Sequence, residues 1–161
     1  MRFSFPIVTL LFAITNGQNN KTNTGSDLPR GLCSTPTYHN ATTLDGPPVA
    51  ACFGLIDSIN PYQKWDAADL SQDQGGLNFS DCYITFKALI PDGGRAPEPE
   101  HGSKSLHPVF INGVDLREVI RKSIELFNRT DADGVARVGS YGVMFCDDSR
   151  NRTNEVAYNL Y

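Results

Sequence analysis

Hydrophobic residues along this chain follow two spacings, and each marks a different kind of element. Val49, Cys52, Phe53, Ile56 and Ile59 recur at i, i+3, i+4, i+7 and i+10, which predicts a helix. Asp45-Gly46 offers its cap, and Pro47-Pro48 sits where a missing N–H costs nothing. Asn60-Pro61 stops it. A second helix buries Leu116, Val119, Ile120, Ser123, Ile124 and Phe127, and keeps Arg117, Arg121, Lys122 and Glu125 in water. Asp115 as N-cap with Glu118 at N3 reads as a capping box, with Val114 and Val119 as a hydrophobic staple. Over 78–90 the period drops to two: Cys82, Ile84, Phe86, Ala88 and Ile90 share one parity, and Tyr83, Thr85 and Lys87 the other. That predicts a strand, with a helix as the rival reading. Shorter strands are expected at 33–38 (interrupted by Pro36) and 106–111, the latter turned by Asn112-Gly113. The chain closes with a hairpin. Val135 to Cys146 is followed by a polar turn over 147–154 and a terminal strand carrying Val156, Tyr158 and Leu160. Gly139 and Gly142 are expected to mark bulges or close backbone approach. Trp65 is expected to lid the core.

At 161 residues the chain suits one domain. Residues 1–17, MRFSFPIVTLLFAITNG, place Arg2 before a short apolar run and end in small residues, the pattern of a secretory signal peptide. Residues 18–32 lack periodicity and read as a disordered leader, leaving 33–161 as the folded domain. Sequons at Asn20, Asn40, Asn78, Asn128 and Asn151 point the same way, to a secreted glycoprotein. Asn78 is the least secure of them because it borders a strand. Cys33, Cys52, Cys82 and Cys146 are widely spaced and include no CxxC, so zinc and thioredoxin-type chemistry find no support. In an oxidising compartment they form two disulfides, with three connectivities open.

The formal charge is −4, and −5 once residues 1–17 are removed, which argues against a nucleic-acid partner. It also argues against a membrane-active toxin, which needs a basic amphipathic face. No cofactor, metal or membrane insertion is expected. His39, His101 and His107 do not pair at ligand spacing. Gly139-Ser140-Tyr141-Gly142 misses the spacing of a nucleophile elbow. Asp131-Ala132-Asp133-Gly134 fails as a calcium loop, with Arg129 and Ser140 where carboxylates belong, and reads as a turn leaving the second helix. The exposed loop 91–104 and the turn Arg150-Asn151-Arg152 are candidate contact regions.

Taken in order, the elements run β-α-β-β-α-β plus a terminal strand. With Cys52 on the first helix, Cys82 on the next strand, the helix from Leu116 to Phe127 and Cys146 in the Gly-rich closing strands, the chain resembles small secreted effector proteins of plant-pathogenic fungi, in particular those with a killer-toxin-like α/β sandwich. Those proteins often carry a further cysteine on the second helix, which is absent here. The expected fold is α+β: an antiparallel sheet of four to five strands with two helices on one face, ferredoxin-like in plan. In that plan the first and last main strands are neighbours, which favours Cys33–Cys146 and leaves Cys52–Cys82 to tie the first helix to the sheet. The resemblance implies a non-enzymatic virulence effector of avirulence type. It would act in or through the host apoplast by binding a host protein or a second secreted effector. The alternatives are a secreted antimicrobial or killer-type toxin, a secreted hydrolase, or an inhibitor of one.

Overall fold

The computed structural model describes residues 30–72, 75–89, 108–148, 150 and 152–161. The signal peptide, the leader as far as residue 29, and the 91–104 loop lie outside the described residues.

The first helix, α1, spans Val49–Ser58 and starts later than the Asp45-Gly46 cap requires. Each proline biases the residue before it to extended backbone, so Pro47-Pro48 holds the chain straight until Val49. Pro48 is the N-cap, and no side chain closes it. The buried face is Cys52, Leu55, Ile56 and Ile59. Phe53, expected on that face, is instead about half exposed, and Leu55 takes its place. Cys52, Ile56 and Ile59 mark the centre of the buried face, and Leu55 lies nearer to it around the helix than Phe53 does.

The second helix, α2, spans Gly113–Phe127, and its capping box sits one turn earlier than expected. Asn112 is the N-cap: its side-chain oxygen accepts from the Asp115 N–H at 3.0 Å, and the Asp115 carboxylate accepts from the Asn112 N–H at 3.2 Å. Asn112-Gly113 is therefore a helix start rather than a turn after a strand. Gly113 is needed there because a Cβ would run into the Asn60 carbonyl.

Among the described residues there are nine strands: β1 His39–Asn40, β2 Lys64–Asp66, β3 Leu77–Phe79, β4 Cys82–Leu89, β5 Phe110–Asn112, β6 Arg129–Thr130, β7 Ala136–Arg137, β8 Ser140–Asp147 and β9 Thr153–Leu160. Five form one antiparallel sheet in the order β1-β8-β9-β4-β3. This is a mixed α+β fold with a five-stranded sheet and two helices, as the patterning implies. The strand order differs from the ferredoxin-like plan. The segment expected as a sheet strand at 106–111 supplies β5, which pairs with β2 in a separate ribbon. It ends at Asn112, the residue that starts α2. The central position falls to the terminal strand β9. The single strand expected over 78–90 is also divided, with Ser80 at φ 51° turning β3 into β4.

Strand alternation places the core. Reading across the sheet, Ser140–Leu160–Ile84, Gly142–Tyr158–Phe86 and Met144–Val156–Ala88 stand side by side on one face. Against them lie Leu116, Val119, Ile120 and Ile124 of α2 and the inner face of α1, all buried. Residues 33–41 run along β8, with Ser34 N–H bonded to the Phe145 carbonyl and Thr37 N–H to that of Val143. At Gly142 the Thr37 carbonyl comes so close that no side chain would fit, the close approach expected from the sequence.

Both disulfides join the expected partners: Cys33–Cys146 anchors this N-terminal strap to β8, and Cys52–Cys82 anchors α1 to β4.

Candidate functional site

The outward positions of the same strands carry a different population. Tyr141–Asn159–Thr85, Val143–Ala157–Lys87 and Phe145–Glu155–Leu89 form successive rows across β8, β9 and β4. Tyr83 and Tyr161 add a further row, joined by reciprocal backbone hydrogen bonds of 2.7 and 3.0 Å. Among the described residues no helix lies over this face. α1 is bonded to its opposite side through Cys52–Cys82, and α2 through the Ser140 hydroxyl, which donates to Ser123 Oγ at 2.6 Å. Four aromatic side chains consequently stay open to water: Tyr141 51%, Phe145 49%, Tyr161 41% and Tyr83 37%. Three of them are ordered by ring contacts at the ends of the face. His39 stacks on Tyr141 with centroids 5.0 Å apart, and Tyr83 stacks on Tyr161 at 6.0 Å and 14°.

Where the Tyr83–Tyr161 pair meets the loop before α1, the surface sinks into a cleft of about 650 Å³. Leu44, Asp45, Pro47 and Pro48 form one wall, and Gly75, Asp81, Tyr83, Tyr161 and Arg137 the rest. Arg137 is held from behind. Its guanidinium donates to the Gly46 carbonyl at 3.1 Å and to Asp133 at 2.8 Å, and its Nε faces the Asp131 carboxylate at 3.3 Å. Both carboxylates come from the 131–134 turn, closed by Gly134 at φ 78°, so those acids serve the turn and the arginine. Asp133 sits below its ordinary range because the Val135 N–H and Arg137 bond to it. Asp45 and Asp81 make no ion pair among the described residues.

A smaller hollow of about 160 Å³ lies beside the Cys33–Cys146 bridge, lined by Pro36, Glu118, Met144 and Asp115. Asp115 accepts backbone N–H groups from Leu32 at 2.9 Å and Cys33 at 3.3 Å in addition to its helix-capping bond. Burial pushes its carboxyl above the ordinary value while those three donors pull it down. Inside the core, Ser123, Ser140 and Tyr158 form a hydroxyl cluster. Tyr158 donates to the Thr37 carbonyl at 2.9 Å, and its phenol is pushed up to about 12 by burial. Ser140 is fully buried, which rules the Gly139-Ser140-Tyr141-Gly142 segment out as an exposed nucleophile turn.

Of the sequence-derived sites, Asn40 is exposed in β1, Asn78 is exposed in β3 opposite Tyr83, and Asn128 is exposed as the C-cap of α2. Asn20, Asn151, His101 and His107 lie outside the described residues. The 148–152 turn, expected as a contact region, is organised around Asp148. That carboxylate accepts from the Arg150 N–H at 2.8 Å, the Arg152 N–H at 2.9 Å and the Arg152 guanidinium, which together hold it down to about 2. The cleft was missed. The outward parity of Tyr83 is visible in the sequence, whereas nothing local brings Asp45 and Asp81 to it.

No family model matches the chain, and a comparison with curated proteins finds no match. No described helix is long and apolar enough to cross a membrane.

Proposed function

We propose that the protein is a secreted virulence effector of avirulence type from a fungal pathogen, acting by protein–protein binding in or through the host apoplast. The observation that carries this reading is the sheet face on which no described helix lies and Tyr141, Phe145, Tyr83 and Tyr161 stay exposed to water. Exposed aromatic side chains are an energetic liability on a solitary domain and the usual anchors of an interface. Two disulfides holding a two-layer α+β frame support the extracellular part of the reading. Its partner is a host protein or a second secreted effector, and it uses no cofactor.

Affinity capture from host extracellular fluid and from the producer's own secretome tests it, with wild type and a Tyr141→Ala/Phe145→Ala variant as baits. A specific partner held by wild type and lost by the variant is the expected result. Equal capture by both baits, or turnover of a substrate by the purified chain, would overturn the proposal.

A further inference from the structure

We infer that the cleft at the end of the open face receives an arginine side chain of a partner polypeptide; this deepens the surface-binding function above and rests on it. Three properties of the cleft converge on that chemistry. Its charge is unbalanced, because Arg137 is met by Asp131 and Asp133 of its own turn, which leaves Asp45 and Asp81 as spare negative groups on the walls. Its wall is aromatic, because Tyr83 and Tyr161 line it as a nearly parallel pair at 14°, the residue type that attracts a cation. Its remaining lining, Leu44 and the prolines, is apolar and suits the methylene stem of a long basic side chain. A guanidinium satisfies all three at once, since it is flat, stacks on tyrosine and pairs with carboxylates through a fork of N–H donors. A carboxylate or phosphate ligand meets two unneutralised carboxylates and is repelled. The net charge of −4 extends the attraction beyond the cleft and speeds encounter with a basic surface.

The test titrates the disulfide-bonded chain at low ionic strength with blocked Gly-Arg-Gly peptide and follows backbone amide shifts. Gly-citrulline-Gly, which keeps the shape and loses the charge, is the control. Shifts confined to 44–46, 75, 81–83, 137 and 161 are expected, weakened about tenfold by Asp45→Asn/Asp81→Asn and absent with citrulline. Both aspartates are exposed, so this variant retains its fold, which an unchanged far-UV circular dichroism spectrum and amide dispersion verify. Shifts scattered over the surface, equal binding of citrulline, or indifference to the double substitution would overturn the assignment. A partner captured through Tyr141 and Phe145 in the absence of any arginine binding removes the cleft alone. Failure of both experiments removes the binding function as well.

Discussion

Asp148 and Asp115 are buried carboxylates that couple the fold to pH with opposite sign. Asp148 is held down to about 2 by two backbone donors and Arg152, so its contribution is present above the ordinary carboxylate value and is lost as pH falls through about 2. In an Asp148→Asn variant, the stability gap to wild type is expected to be widest near neutrality. It closes as denaturation is repeated at successively lower pH. Asp115 is raised by burial, so its contribution is present below the ordinary value and is lost as pH rises through its elevated pKa. For Asp115→Asn the gap is expected to be widest in acid and to narrow as pH rises. The two denaturant series together check both signs, and parallel curves would contradict the assignment.

Among the elements, α1 depends most on a single cross-link. It has no side-chain N-cap, and its cysteine is fully buried against β4. Closing a 30-residue separation restricts the unfolded chain by about 3–4 kcal/mol on a chain-entropy account. Cys52→Ala/Cys82→Ala is expected to lower unfolding stability by about 2–4 kcal/mol in guanidinium titration. A loss under about 1 kcal/mol would show that packing alone holds α1. The identity of both helices and of the long strands β4, β8 and β9 was legible in the sequence, because each rests on periodicity or on parity within a few residues; the two cysteine pairs, which spacing left open, followed only from the strand neighbours of the expected plan. What was not legible depends on distant partners. β5 left the sheet because Trp65 and its neighbours offered a strand to pair with while Asn112 had to begin a helix. The capping box moved because Asp115 is wanted by Leu32 and Cys33 as well as by Asn112, and no local rule reports a strap arriving from more than 80 residues away. The cleft was hidden for the same reason. Asp45 and Asp81 belong to separate turns and Arg137 to β7, and the three meet only after the sheet has closed.

At the scale of the whole molecule, the sheet ends in β1 on one side and β3 on the other, and each of these outermost strands carries a sequon, Asn40 and Asn78. A strand at the margin of a sheet leaves a row of N–H and C=O groups ready to template pairing with another chain, and bulky polar decoration blocks that approach. Oligosaccharides at these two positions would therefore serve as bumpers against fibril-like stacking, independent of any recognition event. Enzymatic removal of the sugars, followed by light scattering over days at fixed concentration, is expected to show growth of high-mass species that intact material does not form. Asn128→Gln, whose sequon caps α2 and lies on neither outermost strand, should leave the scattering unchanged.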